Sequence, residues 1–299
     1  MKRRDFLRLT ALTSLSLAMD VDLRTNEAFG AAPAYDLAVV TGASPAKITS
    51  AAIDVLGGMK AFVKRGDVVV VKPNIGWDRT PDYAANTNPE VVSTLVRLCL
   101  EAGAKKVKVF DRSVNDPRRC YVQSGIADAV KKAGGEVSYI DERKFRDVKI
   151  NGSVLKSWPL YTELMEADKV INVPIAKHHG LSRLTLGMKN WMGVMGGSRA
   201  SIHQKINESL VDISMAIKPT LIVLDAVRVL TANGPQGGNL KDVKKLDTIV
   251  AGVNQVAVDA YGTTLFGLKS NDIGYVRIAA QKGFGPMDIA RMKIRKISV

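Results

Sequence analysis

Acidic residues, cysteines and histidines are all in short supply in this 299-residue chain. Its 29 Asp and Glu face 43 Lys and Arg, for a formal net charge of +14. Two cysteines, Cys99 and Cys120, are too few for a disulfide framework and cannot by themselves hold an iron–sulfur cluster. Cys99 falls within an apolar helical pattern, where a thiol serves as a small buried hydrophobe. No stretch beyond the N-terminus has the roughly 20 apolar residues that a membrane helix needs, so membrane contact is expected to be peripheral at most. Internal repeats, low-complexity segments and clear linkers are also lacking. So are the G-x-x-x-x-G-K-[ST] phosphate loop and the G-x-G-x-x-G dinucleotide fingerprint. What remains is ordinary globular composition, 46% hydrophobic, with ample residues for a core.

The N-terminus carries the clearest address. Lys2-Arg3-Arg4-Asp5-Phe6-Leu7-Arg8 matches the twin-arginine export signal, with Lys2 where Ser or Thr is usual. The apolar run from Leu9 to Met19 is too short to span a bilayer but suits a signal-peptide h-region. Ala28, Gly30, Ala31 and Ala32 offer cleavage positions, although Asp20 and Asp22 are unusual there. Residues 1–32 are therefore read as a twin-arginine signal peptide and 33–299 as a single α/β domain, exported to the periplasm or another extracytoplasmic space. A basic tail on a cytoplasmic protein is the alternative. Export makes the twin-arginine machinery a partner and nucleic acid not one. The basic residues concentrated between Lys105 and Arg146 then read as a solvated face, or one that meets anionic lipid or wall polymer.

Short β-branched runs alternate with longer amphipathic ones. Strands are expected at Leu37–Thr41, Val68–Lys72, Val107–Phe110, Val137–Ile140, Val170–Val173, Leu221–Leu224 and Ile249–Gly252. Helices are expected near Ala46–Lys64, Pro89–Ala102, Gly125–Ala133, Tyr161–Ala167, Gln204–Ile217, Gln255–Phe266 and Ile273–Lys282. This alternation predicts a doubly wound, mostly parallel sheet with helices on both faces. A Gly- and Met-rich insertion from about Gly180 to His203 interrupts it, too long for an ordinary connection.

Ligands of open α/β sheets bind beyond the carboxyl ends of the strands. The residues following the expected strands are Lys72-Pro73-Asn74, Asp111-Arg112-Ser113, Pro174 with Lys177-His178-His179, and Asp225. Convergence of these groups would build one crevice; polar turns that follow strands by chance are the alternative. All three histidines, His178, His179 and His203, flank the insertion. His179, His203 and Asp225 form a chemically reasonable divalent-metal set. Neither H-x-x-x-H nor H-E-x-x-H spacing supports it, however, and proton transfer or a structural role are the other readings. Lys189 and Asn190 sit among the glycines of the insertion. Lys72, Lys177 and Lys189 are expected to hold a carboxylate or phosphate, because lysines near buried turns need counter-charge. Asn233-Gly234-Pro235 is a turn close enough to Asp225 to line the same crevice, while Asp259, early in a helix, suggests dipole stabilisation.

Taken in order, Lys72-Pro73-Asn74, Asn88-Pro89, Asp111, Asn172-Val173-Pro174, Lys177 with His179, and Thr185 with Lys189-Asn190 and Gly193 make a pattern. His203, Asp225, Asn233-Gly234-Pro235 and Asp259 complete it. From about Ala38 onward the chain resembles the domain of unknown function 362 family. The resemblance implies an α/β domain, accompanied in some members by a ferredoxin-like module that two isolated cysteines cannot supply here. It also implies Lys72, Asn74, Lys177, His179, Lys189, Asn190, His203, Asp225, Asn233 and Asp259 as positions of interest.

The expected function is that of an exported, enzyme-like protein holding a small anionic ligand. Lys177, His179 and His203 would move protons, and Lys72, Asn74, Lys189, Asn190 and Asn233 would bind. A non-enzymatic metal- or anion-binding accessory of an exported redox system is the alternative, as is a basic scaffold for wall polymer or anionic lipid.

Overall fold

Val-rich runs with apolar residues on both sides form the sheet, and the computed structural model describes residues 33–299. The signal-peptide assignment falls on residues 1–32, outside those described. In chain order, β1 (Leu37–Thr41), β2 (Val68–Pro73), β3 (Lys106–Val109) and β4 (Glu136–Val137) come first. A separate antiparallel hairpin follows, β5 (Phe145–Lys149) with β6 (Ser157–Tyr161). Then come β7 (Lys169–Val173), β8 (Ile175–His179), β9 (Arg183–Thr185), β10 (Leu221–Leu230), β11 (Val243–Gly252) and β12 (Ile294–Ser298). The main sheet is ordered β12-β1-β11-β10-β7-β2-β3-β4, with β8 joined to β10 and β9 to β8. Along that row only β11 runs antiparallel to its neighbours. This is the mostly parallel α/β architecture that the sequence predicts.

Because successive strand residues point to opposite faces, the sheet separates two cores. Val69 and Val71 of β2 enter one and Val70 the other; Val223 and Leu224 of β10 divide in the same way. The first face is covered by α1 (Pro45–Val55), α2 (Pro89–Glu101), α3 (Pro117–Gln123) and α4 (Ile126–Lys132). The second carries α5 (Thr162–Met165), α6 (Gly187–Asn190), α7 (Ile206–Ala216), α8 (Gln255–Thr264) and α9 (Gly274–Gln281). Local chemistry sets the starts of the helices. Asn88 accepts a hydrogen bond from the Glu90 N–H with Pro89 at the first helical position, and Ser44 and Asn254 cap α1 and α8 likewise.

Three departures from the sequence reading have local causes. The single helix expected over Ala46–Lys64 stops at Val55, because Gly57 and Gly58 adopt φ of 104° and 80° before a short 3-10 turn at Met59–Ala61. The strand expected to end at Leu224 runs on to Leu230, since β8 takes over from β7 as its partner at Ile175. The insertion is not loop alone. It contains β9, α6 and 3-10 turns at Trp191–Val194 and Arg199–Lys205, which fold back over the carboxyl ends of the strands. No described helix is long and apolar enough to cross a membrane.

Candidate functional site

One residue before its end, β2 carries a lysine with no access to water. Lys72 Nζ lies 2.9 Å from Asp111 Oδ1, just beyond β3, and donates to the backbone oxygen and, at 3.0 Å, to the side-chain oxygen of Asn190 in α6. Asp111 Oδ2 accepts from the Ile75 N–H at 2.6 Å. Asn190 also donates to Asn172 Oδ1 at 2.8 Å and accepts from Asn74 Nδ2 at 3.3 Å. Three strand ends and the insertion are thus tied by one polar network. Burial lowers the Lys72 pKa despite the attraction of Asp111, as expected for an ion pair taken out of water. Gly193 makes the close approach possible: a Cβ there would overlap the Asp111 carboxylate and crowd Lys72 Nζ.

Lys177 reaches the same place from β8. Its Nζ donates to the Ala85 carbonyl and, at 3.4 Å, to Asn74 Oδ1, and sits over the Trp77 ring. Among the described residues it has no carboxylate partner. Burial, reinforced by the positive charge of Lys189, brings its pKa down to about 7. Lys189, in α6, has Met192 Sδ at 2.8 Å as its hydrogen-bond partner and no oxygen acceptor among the described residues. Burial and then Arg199 bring its pKa down to about 7 as well. Across the strand pair from Lys177, Thr185 is buried and its hydroxyl has no partner among the described residues.

The adjacent histidines separate, as extended backbone requires. His179 turns into the cavity, where its Nδ1 accepts from the N–H groups of Leu181 at 3.1 Å and Ser182 at 3.4 Å. Nε2 therefore bears the proton, and burial together with nearby Lys189 and Lys177 pushes the pKa down to about 3. His203 stacks on it, ring centroids 6.4 Å apart and planes 18° from parallel, with its own pKa lowered by burial. His178 faces away and accepts from the Gly234 N–H.

These groups surround one cavity of about 580 Å³ at the carboxyl ends of β2, β3 and β8. Among the described residues five Lys and Arg side chains line it, against the single carboxylate of Asp111. The structure brings Lys72, Asn74, Lys177, His179, Lys189, Asn190 and His203 together around it. Three other positions lie elsewhere. Asp225 is buried inside β10, where Oδ2 accepts from the Asn88 N–H at 2.7 Å and Oδ1 from the Val227 N–H at 2.9 Å. It fastens the start of α2 to the sheet, and burial raises its pKa to about 6. The metal set His179–His203–Asp225 is therefore not assembled, and among the described residues no three His, Cys, Asp or Glu side chains group as metal ligands. Asn233 turns outward to Asp242 at 2.9 Å, leaving the neighbouring Gly234 and Pro235 to line the cavity. Asp259 caps a helix other than its own: it accepts from the N–H groups of Gly187 at 2.6 Å and Met188 at 2.9 Å, at the start of α6. Cys99 and Cys120 are both buried in the first core.

Arg199 is the principal lining residue that the sequence reading passed over. Its guanidinium bridges the carbonyls of Arg112, Met192 and Ser113 at 2.7, 3.1 and 3.0 Å. No motif surrounds it, and only its position just after Gly196-Gly197 hinted at a role.

Residues 69–264 match the family described as Domain of unknown function (DUF362). The chain belongs to this family. Among its relatives is the thylakoid-associated protein sll1697 of Synechocystis sp., 29% identical over 242 residues, covering 78% of this chain and 74% of the relative. Among solved structures, the fold is similar to the lactate racemase apoprotein from Thermoanaerobacterium thermosaccharolyticum, with a TM-score of 0.50 and 10% identity. That match covers 75% of this chain but only 55% of the racemase, so the chain spans about half the length of that structure. Every cavity residue named above from Lys72 to His203 falls within the DUF362 match.

Proposed function

We infer that the protein is exported and binds a small anionic molecule in the strand-end cavity, acting on it by proton transfer. One observation carries this reading: among the described residues five cationic side chains line the cavity against one carboxylate, and neither Lys177 nor Lys189 is paired with an acid. Buried cations without counter-ions are costly, and an anion supplied from solution would offset that cost. Lys189 and Arg199 would bear the negative charge, while Asn74, Asn190 and the free Thr185 hydroxyl orient it. Lys177, poised near neutrality, suits proton exchange, which is most efficient when the pKa lies near the working pH. The proton-bearing Nε2 of His179 offers a neutral donor beside it, with His203 stacked against that ring.

The twin arginines Arg3 and Arg4 support export, and the thylakoid association of the Synechocystis relative accords with a location near a membrane.

Thermal unfolding with phosphate, sulfate and short carboxylates, against neutral analogues of the same size, tests the anion site. Anions should raise the Tm, since a ligand at 100 times its Kd stabilises by about 2.7 kcal/mol, and Lys189→Met should abolish the increment. Equal shifts from neutral analogues, or an unchanged increment in Lys189→Met, would refute the assignment.

A further inference from the structure

The cationic end of the cavity is one half of its chemistry. Its outer wall is apolar, formed by Trp77, Met192, Val114, Leu181 and Pro235. Val114 and Leu181 are 59% and 65% exposed, among the few large hydrophobic side chains left so open among the described residues. They come from different elements, Val114 from the loop after β3 and Leu181 from the β8–β9 turn, yet both line this mouth. Scattered exposed apolar residues need no explanation, but apolar residues gathered at the rim of a polar cavity do. Neither is needed by the fold: both project from loops, outside the two main cores. A small hydrophilic anion would touch only the inner cations and leave this rim wet.

Building on the anion-site reading, we propose that the ligand is amphipathic: a phosphate or carboxylate head among Lys177, Lys189 and Arg199, and an apolar body leaving between Val114 and Leu181 over Trp77 and Met192. The buried Thr185 hydroxyl without a partner points to a head with hydrogen-bond acceptors at the inner end. The cavity, about 580 Å³, exceeds what a lone phosphate fills and suits a head with several carbons attached.

Calorimetric titration of the full chain compares inorganic phosphate with octyl phosphate, and acetate with octanoate, below the micellar concentration. Each methylene removed from water is worth about a fourfold gain, so the alkyl ligands should bind at least about tenfold more tightly. Leu181→Ser and Val114→Ser, at exposed loop positions that folding does not depend on, should erase most of that gain while leaving phosphate affinity unchanged. Phosphate bound as tightly as octyl phosphate overturns the amphipathic ligand and leaves the anion site standing. A chain-length gain that survives both serine variants overturns the assigned path of the tail. Failure of every anion to bind removes the anion site itself, and the present proposal with it. Vesicles of phosphatidylcholine containing phosphatidic acid distinguish two sources of the same chemistry. Retention of the protein that octyl phosphate competes away indicates a lipid, and octyl phosphate binding without retention indicates a soluble amphiphile.

Discussion

Lys177 and Lys189 make opposite demands on the free and the liganded protein. Each has its pKa brought down from 10.5 to about 7. As pH falls from about 10.5 to about 7 the unfolded chain takes up protons that the folded one refuses, so stability declines across that window and is level below it. Anion affinity should run the other way, strengthening as pH falls through about 7 and the lysines charge. Lys177→Met should flatten the alkaline part of the stability profile, read as the difference in urea midpoint between wild type and variant from pH 7 to pH 10. That difference isolates the lysine from Asp225 and Asp259, whose raised pKa values of about 6 and about 7 act in the window above 3.8. At Gly193 the constraint is steric. Gly193→Ala drives a methyl into the Lys72–Asp111 pair and should cost about 1–3 kcal/mol, as overpacking does, together with phosphate binding. Much of this was legible in the sequence, because lysines, asparagines and histidines at strand ends stand out against apolar runs. Asp225 and Asn233 were misplaced for a common reason: both satisfy backbone or neighbouring polar groups locally, which spacing along the chain does not reveal.

At the scale of elements, α6 is only four residues long and rests on a carboxylate from another helix. Asp259→Asn exchanges one acceptor for a donor that faces an N–H. It should destabilise by about 1–3 kcal/mol and loosen Lys189 and Asn190, so phosphate affinity should fall although Asp259 never touches the cavity. Leu95→Ala in α2, by contrast, should cost about 2–5 kcal/mol at the first core and leave phosphate affinity intact; chemical denaturation paired with phosphate titration separates the two outcomes. Six of the seven strands expected from the sequence are found, because Val-rich runs buried on both faces announce themselves, whereas the strand expected over Val137–Ile140 shrinks to the largely exposed Glu136–Val137. β8 and β9 escaped notice because Lys177-His178-His179 reads as polar loop; pairing with β10 turns it into strand. β12 is mostly exposed and basic, and only its parallel register with β1 marks it as strand.

For the whole molecule, the family assignment and the fold rest on residues 33–299, while the proposed export rests on the sequence of the segment before them. Replacing Arg3 and Arg4 together by lysine should hold the protein in the cytoplasm, measured by fractionation of cells that carry a functional twin-arginine system. Equal appearance of the variant outside the membrane would end the export reading.

The parting of β8 from β2 has one more consequence. β2 pairs with β7 as far as Val173, after which Pro174 intervenes and β8 follows β10 instead. Beyond that point the sheet opens like an unfastened seam: among the described residues no strand pairing joins β2 to β8, and Lys177 reaches across to Asn74, Trp77 and Ala85. A molecule lodged in the gap would act as the missing stitch between the two flaps. Amide protons of residues 74–77 and 177–181 should then exchange with deuterium more slowly once it is bound, and those of β1 and β11 at their former pace.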